Sequence, residues 1–322
     1  MKLKTKMNNS GNNIKIGIAL GSGSARGWAH IGVIQGLAEM GIEPDIVAGS
    51  SIGAFVGAAY ASNQMDKLEN WVCTLTWKEI LNYIDLTVLG GGFIQGEKLF
   101  EFARKIVKYD TIESLPRRFG AVATELETGR EMWFQDGSLL DAVRASIALP
   151  GVFTPSKLND RWLVDGGLSN PVPVSLCRAM GANVVIAVNL NGDVVGKHIR
   201  KHARQAESTE KDVSTTEGSL LERVSAQLKY SLHERKDDLL SQLFGDSLDS
   251  PGLFDVIASS INIMQDRITR SRMAGDPPEI ILAPQLSHIG LMEFDQATIA
   301  IEEGRTCVQR MRPALEQLLE GL

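Results

Sequence analysis

Ile46-Val47-Ala48-Gly49-Ser50-Ser51-Ile52-Gly53-Ala54-Phe55-Val56-Gly57-Ala58-Ala59-Tyr60-Ala61 decides how this chain is read. Ile46-Val47-Ala48 reads as a short buried strand, and Ala54 to Ala61 as the start of a helix built from small residues. Between them, Gly49, Ser51 and Gly53 set out the pattern G-x-S-x-G. A serine on a sharp strand-to-helix turn is held in a strained backbone with its hydroxyl exposed. The glycines on either side leave room for the turn and for an acyl group to approach the main chain. The stretch predicts a serine nucleophile, provided that a base can be found for it.

Upstream, Ile14 to Leu20 is an apolar run of strand length, followed by the loop Gly21-Ser22-Gly23-Ser24-Ala25-Arg26-Gly27. Trp28, Ile31, Ile34, Leu37 and Ala38 then recur at helical spacing, and Gly41 marks a helix stop. Strand, glycine-rich loop, helix, strand, G-x-S-x-G and helix together predict an α/β sheet. Downstream, Phe119 to Leu126 and Glu131 to Phe134 read as a hairpin. Trp162-Leu163-Val164, Val184 to Val188 and Glu279 to Ala283 read as further strands, and Asp295 to Leu319 as a C-terminal helix. Residues 1–13 read as a disordered tail, 14–322 as one domain, and 191–218 as a polar, flexible loop. Residues 219–270 read as an added helical insertion, with Leu220, Val224, Leu228 and Leu232, and then Leu253, Ile257 and Ile261, every four residues. Residues 66–115 read as mainly helical. Their apolar part, Trp77 to Phe93, is either acyl-channel lining, a membrane contact hinged at Gly90-Gly91-Gly92, or ordinary core.

Composition narrows the class. The 322 residues are 43% hydrophobic and 22% charged with net charge -6, which suits a globular protein and argues against a nucleic-acid partner. Cys73, Cys177 and Cys307 are too far apart for a metal pair and fit a reducing compartment. The start of the chain lacks the apolar stretch of a signal peptide, and no run reaches the roughly 18 apolar residues of a membrane span. The expectation is a cytoplasmic protein whose membrane contact, if any, is peripheral at the inner membrane surface. No calcium loop or zinc spacing is recognisable, so neither metal nor cofactor is expected.

A serine hydroxyl needs an adjacent base. Of the five histidines, His30, His198, His202, His233 and His288, only His288 comes late enough in the chain for a hydrolase triad. The other candidate is Asp165 in Val164-Asp165-Gly166-Gly167, at the end of a strand, where open α/β sheets place their ligands. An ordinary Asp is a weak base, but burial raises its pKa toward neutrality. Asp-Gly is also a common turn, the blander reading. The Gly21–Gly27 loop offers backbone N–H donors for an oxyanion at a helix entrance. Its spacing, G-x-G-x-x-x-G, departs from the dinucleotide fingerprint, and no lysine follows Gly27 as a P-loop requires.

Taken together and in this order, Gly21-Ser-Gly-Ser-Ala-Arg-Gly27, Gly49-Ser-Ser-Ile-Gly53, Arg144-Ala-Ser-Ile-Ala-Leu-Pro-Gly-Val-Phe153, Asp165-Gly-Gly167 and Asn170-Pro-Val-Pro173 resemble the patatin-like phospholipase family. The likeness is strongest to its bacterial RssA and neuropathy-target-esterase branch, and covers about Ile14 to Gly304. The resemblance implies a three-layer α/β/α fold with a mostly parallel central sheet. It implies a Ser51 nucleophile, an Asp165 base, and an oxyanion hole from the 21–27 loop (Gly21, Ser22, Gly23, Ser24 and Gly27) braced by Arg26. Gly49, Ile52 and Gly53 form the elbow, and Gly166 and Gly167 complete the Asp motif. The implied substrate is a lipid ester, a phospholipid or lysophospholipid. One departure stands out: Ser22 and Ser24 occupy positions where the family frame has glycine, and a left-handed backbone at a serine is strained. An acyltransferase, a regulatory protein with an inactive site, and subunit pairing through the 219–268 helices stay open.

Overall fold

The computed structural model describes residues 14–76, 101, 104, 108–193 and 253–322. The tail 1–13, the apolar stretch 77–93, most of the polar loop, the first amphipathic stretch from Leu220, and His198, His202 and His233 lie outside the described residues. The described chain runs β1 (Ile16–Leu20), a 3-10 turn (Ser24–Trp28), α1 (Ala29–Glu39), β2 (Ile46–Ser50), α2 (Ile52–Ala61) and α3 (Met65–Val72). It continues through β3 (Arg118–Glu125), β4 (Glu131–Phe134), α4 (Leu139–Ser146), β5 (Ser156–Leu158), β6 (Arg161–Asp165), α5 (Val174–Ala179) and β7 (Val184–Val188). After the undescribed stretch come α6 (Leu253–Gly275), β8 (Ile280–Leu282), α7 (Ala297–Arg310) and α8 (Arg312–Gly321).

The sheet order is β5-β6-β3-β2-β1-β7-β8, with β4 also on β3. The pairs β1–β2, β1–β7, β2–β3 and β7–β8 are parallel; β3–β4, β3–β6 and β5–β6 are antiparallel. Alternation along the strands sorts side chains to two faces. Ile18, Leu20, Val47, Ile186 and Val188 meet residues of α1, α2 and α7 in one core. Ala19, Ile46, Ala48, Val185 and Ala187 meet Val174, Leu176 and Cys177 of α5 in the other. This is the predicted helix–sheet–helix layering.

The register holds one detail on which the site depends. Along one edge of β3, β2 pairs as far as Ser50↔Val122, and β6 begins at the next position, Asp165↔Ala123. The opposite edge carries β4 alongside both. Strands β2 and β6 therefore meet end to end, each presenting its last residue at the same point.

The C-terminal segment differs from the single helix expected over Asp295–Leu319. It is a 3-10 turn, Phe294–Gln296, followed by α7 and α8 with a break at Met311. Pro313, in the first turn of α8, has no N–H to continue α7 and would clash with the carbonyl four residues back. Helices α4 and α5 and strand β5 are too short for their periodicity to stand out in the sequence.

Helix α1, which carries the glycine-rich loop at its N-terminus, is pinned by α7. A Cβ on Gly32 would lie 1.8 Å from the Ile301 carbonyl oxygen, and one on Gly304 would lie 2.2 Å from that of Ala29. Backbone cannot give way as a side-chain tip can, so the helices must part to admit a methyl group. Gly32→Ala should therefore lower stability by about 2–3 kcal/mol, read from the urea midpoint at constant slope.

Candidate active site

The turn from β2 into α2 places Ser51 at φ 56°, ψ -127°. This is a left-handed conformation that a serine rarely adopts. It is held from three sides. The Ser51 amide donates to Ser146 Oγ at 2.9 Å. The Ser51 carbonyl accepts from the amides of Ala54 and Phe55 at the start of α2. A Cβ on Gly53 would lie 2.1 Å from the Leu20 carbonyl, and one on Gly49 would lie 2.4 Å from Ala54 Cα, so both glycines are required by backbone contact.

Because β2 and β6 meet end to end, Asp165 stands directly beside this serine. Ser51 Oγ donates a short hydrogen bond to Asp165 Oδ2. The other carboxylate oxygen, Oδ1, accepts from the Gly167 amide at 2.7 Å. Asp165 is fixed through its backbone as well. Its amide donates to the Ala148 carbonyl at 2.9 Å, and its carbonyl accepts from Thr124 Oγ1 at 2.9 Å. The carboxylate is fully buried, and desolvation raises its pKa from 3.8 to about 7 despite the two opposing hydrogen bonds. His288, the late histidine, is exposed beyond β8 and does not line the pocket around Ser51.

The loop before α1 faces the same point. The Gly21 and Ser22 amides are occupied, donating to the carbonyls of Val188 and Pro171 at 3.1 and 2.8 Å. Ser22 Oγ donates to Ser50 Oγ at 3.2 Å. The Gly23 carbonyl accepts from both the amide and Nε of Arg26, at 3.2 and 3.3 Å. In a planar trans peptide the next N–H points the opposite way, so the Ser24 amide is turned away from Arg26. Ser24, with φ 51°, and Gly23 both line the pocket containing Ser51. Of the two serines in place of glycine, only Ser24 takes the strained conformation. Arg26 is buried, which lowers its pKa to about 10 and leaves it charged at neutral pH. Its Nη2 donates to Asn262 Oδ1 of α6 at 3.0 Å.

Beneath the loop, His30 contacts the Gly21 carbonyl oxygen through Nε2 at 2.8 Å. Burial lowers its pKa to about 4, so the ring is neutral. A carbonyl can only accept, which puts the proton on Nε2. His30 is thus a buried prop of the loop, not a base for Ser51.

The pocket is lined on one side by Trp28, Phe55, Trp71 and Phe294, whose rings meet at centroid distances of 6.0 to 6.4 Å. Ile147, Leu149, Val152 and Phe153 extend the apolar wall, while Ser22, Asn262 and Gln265 supply polar groups. Sequence reasoning missed Ser146 as a partner of Ser51, although Arg144–Phe153 stood out as a motif. It also missed Asn262 and Gln265, because their helix carries only an amphipathic pattern.

Residues 18–178 match the family model described as patatin-like phospholipase. This chain belongs to the patatin-like phospholipase family. Among its relatives is "Uncharacterized NTE family protein Rv1063c" of Mycobacterium tuberculosis, 35% identical over 94% of this chain and 92% of the relative. The human "Patatin-like phospholipase domain-containing protein 6" is 34% identical over 54% of this chain, a match that takes in only 13% of the human protein. A structure of VipD from Legionella pneumophila aligns at TM-score 0.45 and 13% identity, covering 96% of this chain and 70% of VipD. Membership of the patatin-like phospholipase family implies lipid-ester hydrolysis.

Between about pH 4 and pH 7, the folded chain retains a proton on Asp165 that the unfolded chain has released. The contribution of this group to stability therefore falls as pH rises through that window. Asp165→Asn removes the buried charge while keeping an acceptor for Gly167. It should exceed wild type by about 2–4 kcal/mol above pH 7, with the difference vanishing toward pH 4, measured by denaturant titration across pH. Ser24→Gly should raise stability by up to about 1 kcal/mol by relieving the left-handed serine, read from the thermal midpoint.

Proposed function

We propose that this protein is a serine acyl hydrolase that cleaves lipid carboxylic esters, phospholipid or lysophospholipid, through a Ser51–Asp165 dyad. The observation that carries the reading is the hydrogen bond from Ser51 Oγ to a fully buried Asp165 carboxylate. A base with a pKa of about 7 can accept a proton at neutral pH and return it in the next step.

In the proposed reaction the acyl chain lies along the aromatic wall and the ester carbonyl sits over Ser51. As Ser51 Oγ attacks the carbonyl carbon, its proton passes to Asp165 Oδ2. The negative charge that develops on the carbonyl oxygen is met by the Gly23 and Ser24 amides and by the positive N-terminal end of α2. Gly21 and Ser22 drop out as amide donors because their N–H groups are already bonded. Collapse of the tetrahedral intermediate breaks the bond to the alcohol oxygen, which takes the proton from Asp165. Water then attacks the acyl-serine with Asp165 as base, releasing a fatty acid and restoring Ser51. The substrate class brings the protein into contact with a lipid surface.

Ser51→Ala should abolish ester hydrolysis and labelling by a fluorophosphonate. Asp165→Asn should lower kcat/KM by about 10³-fold or more, because its amide N–H donates to Ser51 Oγ instead of accepting from it. In wild type, kcat/KM should fall tenfold per pH unit below about 7, the range in which Asp165 takes up its proton. Folded protein that takes no fluorophosphonate label would sink the enzyme reading. Substantial activity in Asp165→Asn would sink the dyad.

A further inference from the structure

Helix α6 lies beyond the residues matched by the family model, yet three of its residues, Ile261, Asn262 and Gln265, line the Ser51 pocket, two of them polar. Gln265 is 4% exposed. Its Oε1 accepts from Asn191 Nδ2 at 2.9 Å, which turns the Nε2 amide donor the other way. That donor has no hydrogen-bond partner among the described residues, and Gln265 lines the pocket that holds Ser51. Its position is marked by Gly167. A Cβ built there would lie 2.4 Å from Gln265 Nε2, 2.5 Å from Ser22 Oγ and 3.0 Å from Asp165 Oδ1. Gln265 therefore reaches over the bare Cα of Gly167 to the Oδ1 side of Asp165. One turn away, Asn262 accepts from the buried Arg26 guanidinium through Oδ1.

The chemistry fixes what stands at this place. The group that receives the Ser51 proton must return it to the departing alcohol oxygen, so the alcohol half of the ester has to lie beside Asp165. The acyl half takes the aromatic wall, where no polar partner is needed. An amide donor on the pocket wall, without a hydrogen-bond partner among the described residues and next to the carboxylate that protonates the leaving group, meets the alcohol half of the substrate.

We propose that Gln265, supported by Asn262, is a specificity-determining residue that hydrogen-bonds the oxygen-rich alcohol moiety, a glycerol hydroxyl or a phosphodiester oxygen. The Arg26 charge behind Asn262 favours an acceptor at this subsite. The assignment rests on the hydrolase reading above and names its selectivity. A carboxylic ester whose alcohol carries acceptors is preferred over one of equal acyl length whose alcohol carries none in that position.

The test compares wild type with Gln265→Met, which keeps the length and bulk of the side chain and removes the donor together with the Oε1 acceptor of Asn191. The probes are p-nitrophenyl palmitate, 1-palmitoyl monoacylglycerol and 1-palmitoyl lysophosphatidylcholine, three esters of one acyl chain. The ratio of kcat/KM for a polar ester to that for the nitrophenyl ester should fall about tenfold in the variant, the loss expected for one buried hydrogen bond. A fall for lysophosphatidylcholine alone assigns the phosphodiester contact. A fall for both polar esters assigns the glycerol hydroxyl. Gln265→Asn, too short to reach, should show the same loss, which guards against a packing defect peculiar to Met. Unchanged ratios in both variants, whether or not overall activity drops, would overturn the assignment and leave the hydrolase reading intact. So would a wild type that cleaves the nitrophenyl ester and neither polar one. A wild type that cleaves none of the three would overturn the hydrolase reading together with this one.

Discussion

Two strands that end against each other on a shared edge set the geometry of this molecule. Strand β3 is long enough to pair with β2 over its first part and with β6 over its second, and the handover falls between Val122 and Ala123. β2 runs parallel to β3 and β6 antiparallel to it, so the last residue of each strand arrives at the handover from opposite directions. Ser51 follows directly on Ser50, and Asp165 closes β6. No loop has to fold back to bring the two side chains together; hydrogen-bonded backbone delivers both. Sites built on regular elements hold their geometry more tightly than sites built on loops. Here the hydroxyl and the carboxylate are fixed by the same ladder that holds the sheet.

Several features around that point are locally unfavourable: a left-handed Ser51, a left-handed Ser24, a buried carboxylate and a buried guanidinium. Each costs on the order of one to several kcal/mol by itself and persists only because its surroundings over-determine it. For Ser51 those surroundings are Ser146, the first turn of α2 and the glycines at 49 and 53. For the loop they are His30, Arg26 and the close packing of α1 on α7. Such violations concentrate where a protein needs a reactive group and are balanced by regular packing elsewhere. The apolar faces of β1 and β7 supply that regular part.

This division explains what the sequence reveals. Strands buried on both faces are short apolar runs between glycines, and the elbow and Asp-Gly-Gly are dense local patterns. All of these are legible because their physical demands act over a few neighbouring residues. The pairing of Ser51 with Asp165, separated by 114 positions, is not legible from spacing at all. Asp165 enters the sequence reading as a strand-end candidate base beside His288, the family resemblance points to it over His288, and the geometric cause of the pairing lies in the register of β3. Which loop amides are free is equally hidden, since Gly21 and Ser22 are occupied by Val188 and Pro171, partners remote in sequence. The break between α7 and α8 could have been read from Pro313, a local signal outweighed by the longer apolar periodicity around it.

A carboxylate base in place of the usual imidazole, as proposed above, has a consequence for how the fold divides its labour. Imidazole titrates near neutrality wherever it is solvated, whereas a carboxylate does so only when water is kept away from it. The base in the proposed reaction is therefore made by its enclosure: β6 below, the Gly166–Leu168 turn beside it, and α6 reaching across Gly167 above. Any group that closes this enclosure must be compatible with a substrate alcohol arriving next to the same carboxylate. An apolar lid would desolvate Asp165 but repel the leaving group, and a charged one would shift the pKa by direct interaction. Neutral amides avoid both problems, since they exclude bulk water, add no net charge and still offer a donor. Gln265 is an amide of this kind, on a helix outside the segment that carries Ser51 and Asp165. A helix so placed can change its polar side chains, and with them the alcohol that is accepted, without disturbing the register that joins serine to aspartate.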